Sequence, residues 1–439
     1  MNSAVLPTTL LVVLAGSPLA QTPVAPQATL SPSHLAVGVD PTEVRELIVA
    51  FDRPMDPRAF ALCGGGPSFP KVVSTAWRDE RTFVATVELA SDTVYAMDLS
   101  CPGSGGFQSR DGVRLPPVPW RIATSGRPLA DGEAATAADR LFRLVADHYS
   151  YRDRLGIDWA ELERNHLETL ATAADGASFA LRAANLLAAA QDPHISVQWR
   201  EAVLPTFTRH GESNFDARGL QKELPQLERI GRTGLFARTD DGIGYLFVGS
   251  FAREQRDEFE KALAALRRLL DCKALVIDVR TNGGGDELQA RRLAAFFVEG
   301  EKVYAAHRVR DPNAEGGFRP REDRRLRGNV APDAFAGEVA VLTSSLNMSS
   351  CEAFLLMMKQ SPRAVLVGST TFGSSGNPQP HELLPGLTVL LPSWQALRPD
   401  GSLLEGEGIA PHIHVDVKPE QLRDGDPVLR EALQRLRKR

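Results

Sequence analysis

The chain has 439 residues, enough for two or three domains with sizeable cores. Hydrophobic residues make up 43% of it and charged residues 24%, which excludes a wholly disordered polypeptide. A formal net charge of -5 and a pI near 6.0 give no electrostatic reason to expect a nucleic-acid partner.

Val5 to Ala20 (VLPTTLLVVLAGSPLA) is apolar, ends in small residues and is too short to span a bilayer comfortably. We read residues 1–20 as a secretory signal peptide cleaved near Ala20, although no Lys or Arg precedes the apolar run. The remaining sequence has no membrane-spanning run, so the mature protein is expected in the periplasm or outside the cell. Cys63 and Cys101 fall in one N-terminal segment and can pair as a disulfide in such a compartment. Cys272 and Cys351 adjoin apolar strands and read as buried free thiols, and no Cys-x-x-Cys spacing points to structural zinc.

After a Pro/Ala-rich linker (Gln21 to Ala28), residues 29–126 read as short strands rich in β-branched and aromatic residues. Leu47 to Phe51, Val72 to Trp77, Thr82 to Glu88 and Val94 to Leu99 are separated by Gly, Pro and Asp clusters, which predicts a β-sandwich. The run Val49-Ala-Phe-Asp-Arg-Pro-Met-Asp56, with Asp111-Gly-Val113 and Trp120 to Thr124, resembles bacterial Ig-like domains of surface-layer and secreted proteins. The resemblance implies an accessory or positioning module.

Composition then turns to Ala, Leu and Arg, and residues 130–200 carry helical periodicity: Leu141, Leu144, Val145 and His148, then Leu162, His166 and Leu170, then Phe179, Ala183, Leu186, Leu187 and Ala190. This helical part ends at Gln191-Asp-Pro-His194, where Pro193 stops helix propagation. Within 205–420, from Gly242, strands and helices alternate: strand 243–248, helix 253–270, strand 274–279, helix 286–298, strand 302–309, strand 338–342, helix 350–359, strand 364–368 and strand 387–392. That order predicts an α/β unit with a largely parallel sheet. The basic run Arg319 to Arg327, interrupted by Glu322 and Asp323, reads as part of a solvated loop.

Two turns stand out. Asp278-Val-Arg-Thr-Asn-Gly-Gly-Gly285 and Ser344-Ser-Leu-Asn-Met-Ser-Ser-Cys-Glu352 each follow a short apolar strand and open onto a helix. The first N–H groups of such a helix are unpaired and suit an anion or a developing oxyanion. A serine before a helix is most often an N-cap, but Ser349 can also present its hydroxyl there as a nucleophile, with the Ser350 N–H as one oxyanion donor. The glycine triplet supplies a second donor, because glycine lets the backbone approach a substrate closely. Serine needs a base, and among the nine histidines His194 ends a helix inside a turn that can face a cleft. An acid must then orient the base: Glu405 and Glu407 sit in one glycine-bordered turn, and spacing alone does not choose between them. His412 and His414 share a strand face, but two ligands without a third do not make a metal site.

The stretches Leu275 to Gly285, Val341 to Glu352, Ala364 to Gly373 and Glu405 to Pro411 occur in the order and spacing of the tail-specific, or C-terminal-processing, serine peptidases. This resemblance spans residues 130–417 and implies an α/β core of the crotonase/ClpP-like kind. It maps the nucleophile to Ser349 and the oxyanion hole to Gly284, or a neighbouring glycine, plus Ser350. One branch of that family activates its serine with a lysine in a Phe-Gly-Lys motif. Here the position is Ser374, which excludes a Ser-Lys dyad, and the stretch between Trp199 and Gly242 is too short for a PDZ module. The chain is instead similar to the branch of the tricorn catalytic core and the interphotoreceptor retinoid-binding repeats. That branch's histidine matches His194 and its glutamate Glu405. Tricorn has a serine directly before its histidine, where this chain has Pro193.

The expectation is therefore an exported serine endopeptidase of multidomain build, acting on proteins or peptides through Ser349, His194 and Glu405. No cofactor or metal is implied, and oligomeric state is open. The alternative is a non-catalytic binding protein on the same scaffold, since the retinoid-binding relatives use it without proteolysis.

Overall fold

The computed structural model describes residues 24–101, 105–208 and 213–438. The expected signal peptide lies outside the described residues. The first eight strands are β1 (Ala28–Ser31), β2 (Ala36–Val39), β3 (Glu46–Phe51), β4 (Leu62–Cys63), β5 (Lys71–Trp77), β6 (Thr82–Glu88), β7 (Val94–Leu99) and β8 (Val118–Thr124). They form two four-stranded sheets, in the orders β1-β3-β6-β5 and β2-β8-β7-β4. The alternation is plain in β3, where Leu47, Val49 and Phe51 point inward and Glu46 and Ala50 outward. These side chains meet Phe83, Tyr95, Met97, Trp120 and Ile122 from both sheets in one core. Cys63 and Cys101 are joined in a disulfide with Cα atoms 5.5 Å apart, closing a loop beside β4.

Helices α1 (Glu133–His148), α2 (Trp159–Ala171) and α3 (Gly176–Leu187) follow. Asp175 starts α3 by accepting the Ser178 N–H at 2.7 Å, and its other oxygen takes the Gly126 N–H at the end of the sandwich. Ten of the twelve residues of α3 are buried, because one face packs on β2, β7 and β8 and another on the strands that come next. Val94 and Ala123 of the sandwich belong to the same apolar core as α1 and α3, so the two parts share an interior.

The helical part stops before Pro193. A 3₁₀ turn over 188–190 ends at Gln191, which sits at φ 47 and turns the chain. Strands β9 (Ser196–Trp199) and β10 (Ala202–Pro205) form a hairpin. The Trp199 indole N–H donates to Asp92 O at 2.8 Å, and Arg200 pairs with Asp92, tying this hairpin to the sandwich.

The α/β part comprises α4 (Ala217–Glu223), β11 (Glu228–Ile230), β12 (Gly234–Arg238), β13 (Ile243–Phe247), α5 (Arg256–Arg267), β14 (Ala274–Asp278), α6 (Glu287–Ala294), β15 (Glu301–Val309), β16 (Glu322–Arg327), β17 (Glu338–Thr343), α7 (Ser350–Met358), β18 (Ala364–Gly368), β19 (Pro378–Leu384), β20 (Leu387–Pro392), β21 (Trp394–Leu397), β22 (Ile413–His414), α8 (Pro419–Asp424) and α9 (Pro427–Arg437). A seven-stranded sheet runs β11-β12-β13-β14-β17-β18-β22, parallel from β13 onward. Every residue of β13 and β14 is buried, as expected of strands covered on both faces. Strands β19 and β20 leave this sheet and join β9 and β10, while β16, β15 and β21 make a third layer.

Two readings change. The expected helix from Arg253 begins as a 3₁₀ turn, with α5 starting at Arg256. The basic run expected in a loop contains strand β16, antiparallel to β15, in which Arg324 is almost buried against the Tyr304 and Trp394 rings. Aromatic faces and a carboxylate, Glu287, receive that guanidinium, which composition alone does not reveal.

Candidate active site

The glycine turn follows β14 and the serine turn follows the adjacent parallel strand β17, so both emerge at the same sheet edge. Buried side chains knit them. Asn347 Nδ2 donates to Val279 O and, at 3.1 Å, to Asn282 O, and Asn282 Nδ2 donates to Val248 O at 3.1 Å. Below them Arg280 is fully buried between Asp278 and Asp426, at 2.7 and 2.6 Å, and also donates to Asn214 O.

Ser349 sits at φ 57, ψ -128 directly before α7. An N-cap normally has extended backbone, so this serine is held in a sparsely populated conformation of the kind that lifts a side chain out of a strand-to-helix turn. Gly284, at φ +99, leaves it room. A Cβ on Gly284 would stand 2.7 Å from Met348 O, 2.9 Å from Ser349 Cβ and 3.0 Å from Ser350 N. The Gly284 N–H donates to Asn282 Oδ1 at 2.9 Å, and Ser350 Oγ donates to Gly285 O at 2.7 Å. The Ser350 N–H, at the first position of α7, makes no hydrogen bond among the described residues.

Glu352, one turn into α7, is fully buried and collects four donors: the Ser349 N–H at 3.2 Å, the Gly373 and Ser374 N–H groups at 2.8 and 3.0 Å, and the Thr371 hydroxyl. Burial pushes its carboxyl up to about 7, against the pull of those hydrogen bonds. The loop after β18 is thereby bound to the serine turn, and Ser374 O accepts the Ser349 N–H at 2.8 Å.

His194 reaches this loop from the helical part. Its backbone N–H donates to Asp192 Oδ1 at 2.9 Å, and its Nδ1 lies 2.9 Å from Ser374 Oγ. Asp192 Oδ1 is 3.7 Å from the same ring nitrogen, and Asp192 Oδ2 accepts the Tyr149 hydroxyl at 3.0 Å. His194 and Ser349 thus bond to opposite ends of one residue, Ser374. Among the described residues no hydrogen bond joins His194 directly to Ser349 or Glu405.

Glu405 and Glu407 separate clearly. Glu407 faces solvent and pairs with Arg398, whereas Glu405 is buried and accepts the Ser375 N–H at 2.9 Å. Burial, and then the charge of Asp192, hold the Glu405 carboxyl well above the usual carboxylate range. The glycines around it allow the turn to lie on the Ser374 loop, where Gly406 N–H donates to Gly373 O at 2.7 Å. His412 Nδ1 accepts the Leu366 N–H, and no cluster of three metal-ligating side chains occurs among the described residues. A cleft of about 590 Å³ between the sandwich and the β9-β10 hairpin, lined by Phe69, Lys71, Tyr95 and Trp199, contains none of these groups.

Sequence reasoning assigned no role to Ser374, Asp192, Asn282 or Asn347. Asp192 carried a signal in its Asp-x-His spacing. Ser374 was visible only as an absent lysine.

Residues 242–415 match the sequence model described as peptidase family S41. The carboxy-terminal processing protease CtpB of Bacillus subtilis is 26% identical over 191 residues, 44% of this chain and 37% of that protein. A CtpA-like serine protease of Staphylococcus epidermidis is 23% identical over 180 residues, 41% of this chain and 35% of its own length. The chain therefore spans little more than a third of these curated relatives. Among solved structures, a peptidase from Parabacteroides merdae superposes with TM-score 0.60 at 22% identity, covering 69% of this chain and 96% of that one. Mature CPAF does so with TM-score 0.51 at 13% identity, covering 66% and 94%. Strand order, the glycine and serine turns and the sequence match agree: the α/β part of this chain is similar to peptidase family S41.

Proposed function

We propose that this protein is an exported serine peptidase that hydrolyses peptide bonds of proteins or peptides through an acyl-enzyme. The observation that carries the reading is Ser349, held at φ 57 on a strand-to-helix turn beside Gly284 and linked through Ser374 to His194. With Nδ1 of His194 committed to Ser374, Nε2 is the nitrogen left to exchange protons with Ser349. In acylation Ser349 Oγ attacks the scissile carbonyl while Nε2 takes its proton. The tetrahedral oxyanion is received by the Ser350 N–H and by the glycine turn, at a glycine next to Gly284, whose own N–H is engaged by Asn282 Oδ1. Collapse expels the amine with the proton from Nε2. Water then repeats the sequence on the ester, releasing the carboxylate product and restoring Ser349. Asp192, 3.7 Å from Nδ1, is the acid that stabilises the imidazolium electrostatically, and Glu405 acts through the Ser375 N–H, which holds the Ser374 loop in place.

The likeness to the carboxy-terminal processing protease of Bacillus subtilis supports a protein substrate processed near its carboxy terminus. The Cys63–Cys101 disulfide supports the export reading, and the sandwich is read as an Ig-like accessory domain. A fluorophosphonate probe tests the proposal: folded wild type should be labelled and Ser349→Ala should not. An unlabelled, folded wild type that cleaves no peptide would favour the binding-protein alternative.

A further inference from the structure

We propose that the Ser374 hydroxyl is the positioning residue of the histidine: its 2.9 Å contact with Nδ1 fixes the His194 tautomer and turns Nε2 toward Ser349. This rests on the serine-peptidase reading.

Ser374 is completely buried, and its main chain is held at both ends. Its N–H donates to Glu352 Oε2 at 3.0 Å and its carbonyl accepts the Ser349 N–H at 2.8 Å. The next N–H, of Ser375, donates to Glu405 Oε2 at 2.9 Å. The hydroxyl is therefore placed by the same two carboxylates that place the nucleophile turn and the late glycine turn. The acids themselves do not reach the ring. Asp192 Oδ1 lies 3.7 Å from Nδ1, beyond hydrogen-bond range, and is already engaged by the His194 N–H, while Asp192 Oδ2 is engaged by Tyr149. Glu405 acts at one residue's remove. Among the described residues Ser374 Oγ is the side-chain group within hydrogen-bond distance of the imidazole.

The consequence is chemical. A neutral imidazole that is to accept a proton at Nε2 must carry its hydrogen on Nδ1, and that hydrogen needs an acceptor. Ser374 Oγ is that acceptor. When Nε2 takes the Ser349 proton, the Nδ1–H remains on Ser374, and the added charge strengthens the contact. The titratable and charged groups facing the pair are Asp192 from the turn before β9, Glu405 from the turn before β22, Glu352 from α7 and Arg154, whose guanidinium donates to Ala190 O and Gln191 O.

The test uses full-length protein and the fluorophosphonate probe, whose saturation kinetics separate the rate of Ser349 modification from probe affinity. Ser374→Ala should slow modification by about 10- to 100-fold, the span of one hydrogen bond to a charged group, with affinity unchanged. The acidic limb of its pH–rate profile should move to lower pH, and Ser374→Thr, which keeps the hydroxyl, should recover most of the rate. Should Ser374→Ala fail to fold, the ¹⁵N imidazole spectrum of wild type decides: His194 protonated on Nδ1 supports the role, and protonation on Nε2 overturns it. Ser374→Ala reacting at the wild-type rate with an unmoved pH profile also overturns it, while leaving the peptidase reading intact. Absence of labelling in wild type removes both.

Discussion

Substituting alanine at Gly284 separates a catalytic turn from a merely tight one. The position has φ +99, so an alanine pays the left-handed penalty of about 1–2 kcal/mol. Its Cβ would also lie 2.7 Å from Met348 O and 2.9 Å from Ser349 Cβ, backbone and short side chain that have no rotamer with which to retreat. Overpacking of this kind costs about 1–3 kcal/mol more, giving a total of about 2–5 kcal/mol. The relief available is a shift of the serine turn by several tenths of an ångström, directly at the nucleophile. A misplacement approaching 1 Å costs on the order of 10²-fold in rate. Gly284→Ala is thus expected to lower the rate of fluorophosphonate labelling about 100-fold and to reduce stability in urea unfolding. Gly283→Ala is the internal comparison, since its nearest neighbour is the flexible Met348 Cε at 3.8 Å and its φ is not in the left-handed region. It should fold and label close to wild type. Equal labelling of the two variants would refute the claim that Gly284 abuts the nucleophile.

Two further outcomes follow from buried charge. Arg280→Met leaves Asp278 and Asp426 buried without their cation and should cost about 3–5 kcal/mol, read as a fall in the urea midpoint. Glu352 binds its proton more tightly folded than unfolded, about 7 against 4.5, so the folded chain carries the extra proton between these values. The stability that Glu352 contributes is then fully present below about pH 4.5 and is lost as pH rises through about 7. The 2.5-unit difference bounds that decline at roughly 3 kcal/mol. Glu352→Gln should flatten the slope in this window, whatever its effect on absolute stability, and an unchanged slope would assign it to other groups.

The alternating strands and helices from Ile243 to Gly368 were legible because buried parallel strands are short apolar runs, and helices such as α5 carry a 3.6-residue stripe. The strand β16 was not. Its residues Glu-Asp-Arg-Arg-Leu-Arg look solvated, and it is seated by Arg324 stacking on Tyr304 and Trp394, partners distant in the sequence. The site divides in the same way. Ser349 and the glycine triplet announce themselves locally, through a strand that ends in small residues before a helix. The distinction between Glu405 and Glu407 depends on which side of a two-glycine turn faces the Ser374 loop, and only tertiary packing decides it. Arg280 and Asp426 are 146 residues apart, a pairing that no local pattern encodes.

The shared interior of the sandwich and the helical part changes what an accessory domain means here. Had the sandwich been joined by a linker alone, His194 would be positioned by α1 to α3 and the sheet. Instead Val94 and Ala123 lie in the core that holds α3, Asp175 binds Gly126, and Trp199 donates to Asp92, all within the framework from which the His194 turn projects. The strand that leaves this turn, β9, pairs with β20 and β10 and through Trp199 is braced by the sandwich. Ser349, by contrast, is fixed by the seven-stranded sheet and α7. The two halves of the site therefore belong to different cores and meet at the Ser374 loop. Under the proposed mechanism the N-terminal sheets bear on catalysis by bracing the turn from which His194 projects.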